Sequence, residues 1–263
     1  MLLEIKNLSV NYFRGKKIIP AIQGASIQVT HGESVGLVGE SGSGKSTIAL
    51  AILRLIAPHE GRITQGEILF EGKDILSLSE GDIRKIRGQD IGIIFQDPFS
   101  SLNPVIKIGA QIEEAIEVHF KEKVSRQDLR ERTLTALANV RLDEPERIYN
   151  SYPHQVSGGQ RQRAMIAMAI ANRPRLLIAD EPTTALDVTV QKEILDLLSQ
   201  LKKELGMAIL LITHHLGIVS QTTSQLYVMQ GGKIAESGAT QKILRNPEHP
   251  YSQELLKAAA IYA

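Results

Sequence analysis

The chain has 263 residues, enough for one large α/β domain or one domain carrying a sizeable insertion. Apolar residues make up 43% and charged residues 22%, the balance of a globular protein, so disorder is expected only toward the ends. A formal net charge of +1 with no long run of one sign supplies no basic face for nucleic acid, and the absence of cysteine excludes disulfides, thiolate zinc sites and cysteine-ligated iron–sulfur clusters.

The first residues, Met1-Leu2-Leu3-Glu4-Ile5-Lys6, bring an acid early and no basic segment before an apolar core, so no secretory signal is expected. The N-terminal part reads as β-rich. Leu3-Glu4-Ile5, Leu8-Ser9-Val10, Ala25-Ser26-Ile27-Gln28-Val29 and Glu67-Ile68-Leu69-Phe70 alternate, as in an antiparallel sheet with one wet face. Ser34-Val35-Gly36-Leu37-Val38 is a short β-like run, followed by glycines and then a helix candidate from Ile48 to Ile56. Ile91-Gly92-Ile93-Ile94-Phe95, Leu176-Leu177-Ile178-Ala179 and Ala208-Ile209-Leu210-Leu211-Ile212 are further near-continuous apolar runs. Such strands predict a parallel sheet covered on both faces, and their alternation with helices predicts an α/β fold.

The segment from about Pro98 to Gln155 differs. It lacks strong strand runs and is rich in Glu, Arg, Lys, Ala and Leu, so it reads as a helical subdomain inserted into the α/β core. Within it, Ser125-Arg126-Gln127-Asp128 is placed to cap a helix running toward Val140. Farther on, Val190, Ile194, Leu197, Leu198, Leu201 and Leu205 share one face at helical spacing, which predicts a helix packed on the sheet. The longest apolar runs, such as Ala164 to Ala171, fall far short of the roughly 20 residues that span a bilayer. The chain is therefore expected to be soluble and to reach a membrane only through a partner.

Gly39-Glu40-Ser41-Gly42-Ser43-Gly44-Lys45-Ser46 fits G-x-x-x-x-G-K-S/T, after an apolar strand and before a helix. In such a loop the glycines let backbone N–H groups turn inward around phosphate oxygens, and the helix beyond adds its positive dipole end. The expected nucleotide-binding residues are Gly39, Ser41, Gly42, Gly44, Lys45, Ser46 and Thr47. Lys45 is placed to reach the β- and γ-phosphates and Ser46 to ligate Mg2+. The motif by itself does not separate kinases, GTPases, motors and transporters. The strand Leu176-Leu177-Ile178-Ala179 ends in Asp180-Glu181, two acids at the carboxyl edge of a sheet. Asp180 is expected to help hold Mg2+ through water, and Glu181 to polarise the attacking water as general base.

Ser157-Gly158-Gly159-Gln160, just after the helical insertion, resembles the signature motif of the ABC ATPases. Other positions fall in that family's order: Gln96 after the strand ending at Phe95, Ala185-Leu186-Asp187 shortly after Glu181, and His214 after Ile212-Thr213. Tyr12 lies where the family places a ring to stack on adenine, with neighbouring Phe13 as the alternative. The resemblance covers Leu2 to about Leu256. Within the family it is closest to the D-type subunits of the peptide/nickel importers. It is carried there by Ile94-Phe95-Gln96-Asp97-Pro98, Ser101-Leu102-Asn103-Pro104, Ser151-Tyr152-Pro153-His154-Gln155, Ile178 to Val188, and the tail Asn246-Pro247-Glu248-His249-Pro250-Tyr251.

The resemblance implies a P-loop NTPase core with a mainly parallel sheet, an N-terminal antiparallel β subdomain and an inserted helical subdomain. The core would take residues 1–96 and 157–245, the helical subdomain 97–156 and a tail 246–263. It implies ATP and Mg2+ as ligands, with Ser46, Gln96 and Asp180 toward the metal and Glu181, His214 and Gln96 toward hydrolysis. Ser157, Gly158, Gly159 and Gln160 would meet the ATP of a second subunit, and Asp187 would bridge to it. That subunit is a paralogue or a second copy, the paralogue being the commoner arrangement. Two transmembrane permease subunits and, indirectly, an extracytoplasmic binding protein complete the implied assembly, on the cytoplasmic face of the membrane. Coupling helices of the permeases are expected on residues from about Pro98 to Phe120.

Three departures stand out. His215 occupies a position where the family usually has Asp, Thr223-Ser224-Gln225 replaces a usual Ala-Asp-Arg, and the cysteine extension that holds an iron–sulfur cluster in many relatives is not expected. The alternatives are a non-transport ABC ATPase, a small kinase, and an assembly subunit that binds ATP without hydrolysing it. A single phosphate loop with a short helical insertion argues against the first. The signature and His214 argue against the second, and intact Glu181 and His214 against the third.

Overall fold

The computed structural model describes residues 1–97, 101–120, 124–184 and 186–261. In chain order its elements are β1 (Leu3–Arg14), β2 (Lys17–Val29), β3 (Ser34–Val38), α1 (Lys45–Ile52), β4 (Gly61–Phe70), β5 (Lys73–Asp74), α2 (Glu80–Ile86), β6 (Ile91–Ile94), α3 (Ile108–Glu117), α4 (Arg126–Asn139), α5 (Pro145–Asn150) and α6 (Gly158–Ile170). There follow β7 (Leu176–Asp180), α7 (Val188–Leu205), β8 (Ala208–Thr213), α8 (Leu216–Thr222), β9 (Gln225–Gln230), β10 (Lys233–Ala239), α9 (Thr240–Arg245) and α10 (Pro250–Ile261). The chain packs as two units, Met1–Arg84 with Ala208–Ala263, and Lys85–Met207.

In the first unit the alternating segments form an antiparallel sheet in the order β2-β1-β4-β5. Along β2, Ala25, Ile27 and Val29 are buried while Ser26 and Gln28 are exposed, the one wet face that alternation predicts. A bulge interrupts the ladder where Val10 pairs with Ile22 and Asn11 with Pro20, leaving Ala21 as the extra residue. The same unit holds β3 flanked by β8 and β9, both parallel to it, with β10 antiparallel to β9. Every residue of β3 is buried. Gly36 at its centre admits α8 at close range: a methyl there would meet Val219 Cγ1 at 2.8 Å. Val38, Leu216, Val219, Leu226, Val228, Ile243 and Tyr251 close a core around the end of β3. Each such side chain contributes roughly 1.5–3 kcal/mol on full burial.

Helix α1 starts at Lys45 and stops at Ile52, short of the predicted Ile56. Arg54 turns the chain out of the helix with a left-handed φ of 50°. Its guanidinium then bonds the carbonyls of Ile75 and Leu78 and the Glu80 carboxylate, interactions that offset the lost helical turn.

In the second unit β6 runs parallel to β7, with Ile91 opposite Leu176 and Ile94 opposite Ala179. Gly92 lies against α6 so closely that a Cβ there would strike the carbonyl of Ala169. Helix α4 begins at the predicted cap, with the Ser125 hydroxyl accepting the Asp128 N–H at 3.1 Å. Along α7, Ile194, Leu197, Leu198 and Leu201 are buried, and Gly206 ends the helix in the left-handed region. Among the described residues no helix is long and apolar enough to cross a membrane.

Candidate functional site

Strand β3 delivers the glycine loop. Val38 lies opposite Thr213 of β8, so Gly39 and His214 leave neighbouring parallel strands at the same carboxyl edge. The loop turns through left-handed φ values at Gly42 (80°) and Gly44 (106°), where a side chain would be strained. At Gly44 space is also short, since a Cβ would sit 2.6 Å from the carbonyl oxygen of Ala21. That carbonyl belongs to the bulge residue of β2. Lys45 is 6% exposed, and its ammonium donates to the carbonyls of Gly39 at 2.8 Å and Glu40 at 2.9 Å. Ser46 is exposed and Thr47 buried in the first turn of α1; Ser41 is exposed in the loop. The lysine thus lies along the loop it serves, its charge solvated by backbone oxygens.

Tyr12 and Phe13 occupy opposite faces of β1. Tyr12 pairs with Ile19 and follows the face of buried Val10, while Phe13 stacks under the Arg62 guanidinium at 5.5 Å. Of the two rings, Phe13 already has a cation for its face. His214 is exposed after β8, its ring 6.0 Å from that of His215. Among the described residues no cluster of three or more His, Cys, Asp or Glu forms a metal cage.

In the second unit Asp180 ends β7 and is buried, and Glu181 follows, also buried. Glu181 carries a φ of 51°, a region that bulky residues rarely occupy and that costs of order 1–3 kcal/mol. Its carboxylate accepts the Thr184 hydroxyl at 3.2 Å, and its carbonyl accepts the Thr184 N–H at 3.1 Å. Because Ile94 faces Ala179, Gln96 departs at the same strand edge as Glu181, and it is exposed there.

Ser157 caps α6 in a reciprocal box: its hydroxyl accepts the Gln160 N–H at 3.2 Å and Gln160 Oε1 accepts the Ser157 N–H. Gln162 on the same helix donates to the Pro182 carbonyl at 2.6 Å, which ties α6 to the turn after Glu181. Asp187 caps α7 by accepting the Val190 N–H at 3.0 Å. A Cβ at Gly159 would lie 3.2 Å from Val190 Cγ1, so Ser157 to Gln160 stand against the start of α7. Of the triplet preceding α7, Ala185 lies outside the described residues.

The donors assigned to Mg2+, a serine hydroxyl, an amide oxygen and one carboxylate, are hard oxygens. They suit a cation that takes few protein ligands and completes its shell with phosphates and water. Each of Ser46, in the first unit, and Gln96 and Asp180, in the second, is by its chemistry a donor that suits the metal.

Sequence reading missed several supports of the phosphate loop. The Gly232 N–H donates to the Ser43 carbonyl at 3.0 Å, and Gln23 N–H bonds the Gly232 carbonyl at 2.8 Å. The hydroxyl of Tyr251 accepts the Glu40 N–H at 3.1 Å. Of these, the Gly231-Gly232 turn between two strands is the only one with a local sequence signal.

A parallel strand that runs into G-x-x-x-x-G-K-S/T and on into a helix defines a P-loop nucleotide-binding protein. The chain matches the ABC transporter family over residues 22–184. It is 46% identical over 255 residues to the oligopeptide transport ATP-binding protein OppD of Bacillus subtilis, spanning 97% of this chain and 71% of that protein. It is 47% identical over 262 residues to the dipeptide transport ATP-binding protein DppD of Haemophilus influenzae, spanning 100% and 78%. In structure it is similar to the dimeric ATP-binding cassette MJ0796 bound to ADP and Pi, with TM-score 0.80, 31% identity, and 90% of this chain and 98% of that chain covered. The chain belongs to the ABC transporter family.

Proposed function

We propose that the chain is the ATP-binding and ATP-hydrolysing subunit of an ABC importer for peptides. One observation carries the reading: a glycine loop with buried Lys45 and an exposed His214 leave adjacent parallel strands at one edge. The similarity over nearly the whole chain to proteins named for oligopeptide and dipeptide transport supports the cargo class.

In this reading Tyr12 stacks on adenine and the N–H groups of the loop hold the phosphates. Lys45 exchanges its carbonyl partners for β- and γ-phosphate oxygens. Ser46, Asp180 and Gln96 would hold Mg2+, which would supply neutralisation of phosphate charge. Glu181 takes the proton of a water whose oxygen attacks the γ-phosphorus; the bond to the β-phosphate oxygen breaks, leaving ADP and phosphate. His214 and Gln96 contact the γ-phosphate.

Ser157, Gly158, Gly159 and Gln160 meet the γ-phosphate held by a second ATPase subunit, for which a paralogue is favoured, and Asp187 bridges to it. Closure then depends on the phosphate, and hydrolysis reopens the pair, a ligand-driven population shift. Residues 97–156 act as the helical arm, with 1–96 and 157–245 as the core and 246–263 as the tail. Two permease subunits dock their coupling helices on residues 98–120, of which 98–100 lie outside the described residues. Val105, 77% exposed before α3, supplies apolar surface there. The subunit sits peripherally at the cytoplasmic face of the membrane, and the binding protein acts on it only through the permeases.

The test is steady-state ATPase activity of the chain alone and assembled with its partner ATPase and permeases. Activity that rises in the assembly and is lost in Glu181→Gln is the expected result. Activity indifferent to any membrane partner overturns the transport reading.

A further inference from the structure

The phosphate loop is tied to a residue 211 positions away in sequence. Tyr251 opens helix α10 just after Pro250, is 5% exposed, and packs its ring in the core that holds Val38 and Leu216. Val38 immediately precedes Gly39, and Leu216 follows His214 by two residues. The ring therefore shares one core with the roots of both nucleotide-facing segments of this unit. Its hydroxyl accepts the N–H of Glu40 at 3.1 Å, while the carbonyl of Glu40 accepts the Lys45 ammonium at 2.9 Å. The backbone of the loop's second residue is thus held at both polar groups.

The segment that carries Tyr251 is itself fastened. The Glu236 carboxylate of β10 accepts the N–H groups of Glu248 at 2.9 Å and His249 at 3.2 Å. His249 Nδ1 in turn accepts the Tyr251 N–H at 3.1 Å, and Gln253 bonds the Pro247 carbonyl at 3.0 Å. Pro250 presets the first turn of α10. Within this fastened segment the Tyr251 hydroxyl reaches the phosphate loop.

We propose that Tyr251 is a positioning residue for the nucleotide: its hydroxyl fixes the Glu40 peptide of the phosphate loop, and residues 246–251 thereby set the affinity for ATP and ADP. The inference rests on the ATP-binding reading of that loop. Without the hydroxyl the Glu40 N–H loses this partner, the Gly39–Glu40 peptide keeps only the Lys45 contact to its carbonyl, and the loop must be ordered at the expense of phosphate binding.

The test is calorimetric titration of the full chain with ATP and with ADP, in the presence of Mg2+, for the natural chain, Tyr251→Phe, Ile243→Val and Lys45→Ala. The phenylalanine keeps the ring and removes only the oxygen. Ile243→Val trims the same core without touching Glu40. The expected result is a three- to tenfold weaker dissociation constant for both nucleotides in Tyr251→Phe, about the worth of one hydrogen bond. The melting temperature of the nucleotide-free protein should fall by no more than about 5 °C, and Ile243→Val should keep the natural affinity. Unchanged affinity in Tyr251→Phe overturns the proposal, as does an equal loss of affinity in Ile243→Val. Failure of the ATP-binding reading looks different: no binding by the natural chain, or full binding by Lys45→Ala.

Discussion

The phosphate loop and the Ser157-to-Gln160 segment both offer helix N-termini to an anion, yet they are built in opposite ways. The loop is braced by distant parts of its unit: the Ala21 carbonyl against Gly44, the Gly232 N–H on Ser43, and the Tyr251 hydroxyl on Glu40. The signature segment is braced by itself, Ser157 and Gln160 exchanging hydrogen bonds within one turn, with Ser157 and Gly158 exposed. A site shaped from outside holds its geometry before the ligand arrives. A site that satisfies only its own ends presents a surface, and its work depends on what is brought to it. On the proposed function, the difference separates residues whose loss damages this chain's own nucleotide binding from residues whose loss is felt only in the assembly.

The largest expected effect lies in neither region but at Glu181, the proposed general base. Glu181→Gln keeps the size and the Thr184 contact of the side chain while removing the base. Hydrolysis in the assembled transporter should fall by about two to four orders of magnitude, with ATP affinity kept. Phosphate release measured beside ATP titration checks this, and normal turnover removes Glu181 from its assigned role.

The comparison itself is sharpened by a matched pair of alanines. At Gly44 the new methyl meets a backbone oxygen at 2.6 Å in a left-handed conformation, and neither the bulge carbonyl of Ala21 nor the loop yields easily. Gly44→Ala should cost about 1–3 kcal/mol of stability and abolish nucleotide binding by the isolated chain. At Gly159 the methyl meets only a side-chain methyl, Val190 Cγ1 at 3.2 Å, which has to give by a few tenths of an ångström. Gly159→Ala should stay within about 0.5 kcal/mol of the natural stability and bind ATP normally, losing activity only when paired. Thermal unfolding and ATP titration of both variants decide this, and equal damage at the two positions erases the distinction.

This asymmetry also governs what could be read in the sequence. The loop's own residues are contiguous and of restricted type, so Gly39 to Ser46 announce themselves, as do the Ser125 cap and the buried face of α7. Their braces work mostly through backbone groups that every residue carries. Nothing in the identity of Ala21 signals that its carbonyl faces Gly44, because the cause is a bulge in strand pairing. Tyr251 was legible as part of a tail motif but not as a brace, since its partner is a backbone N–H 211 residues away. Strands β9 and β10, with polar residues mixed along them, carry too weak an alternation to read. The departure Thr223-Ser224-Gln225 becomes intelligible only in the fold. The Ser224 hydroxyl bonds Glu33 at 3.0 Å and the Ser34 carbonyl at 3.1 Å, and Thr223 bonds the Val219 carbonyl and the Thr240 hydroxyl, so the segment has its own set of partners.

A smaller effect probes how the C-terminal brace is anchored. Burial raises the carboxyl pKa of Glu236, but the Glu248 N–H, the neighbouring Ser252 hydroxyl, and the N–H and ring of His249 together outweigh it, and the net pKa lies below the ordinary carboxylate value. A depressed folded pKa contributes stability that is present above the unfolded value and is lost as pH falls through the folded one. Glu236→Gln should therefore be less stable than the natural chain at pH 7. The gap should hold down to the ordinary carboxylate range and narrow below it. Denaturant unfolding at a series of pH values measures the gap, and a gap that widens in acid reverses the assignment.

The smallest effect concerns His215, at the N-cap of α8. The residue is extended there, as a cap requires, yet its side chain makes no capping hydrogen bond, and its own N–H donates to the Thr213 hydroxyl at 3.1 Å. An aspartate fits the same backbone, and its carboxylate reaches the N–H groups of the first turn that the imidazole leaves unserved. His215→Asp should therefore stabilise the chain by about 0.5–1 kcal/mol, read as a rise in the unfolding midpoint. Because His214 precedes it directly, the same substitution also brings a negative charge next to the residue assigned to the γ-phosphate. Lower ATP affinity alongside higher stability would mean that the histidine serves the nucleotide edge at the helix's expense. Higher stability with unchanged affinity would leave it as a cap that the fold tolerates, and no gain in stability would mean that the short helix α8 is held by the packing of Leu216 and Val219 rather than by its cap.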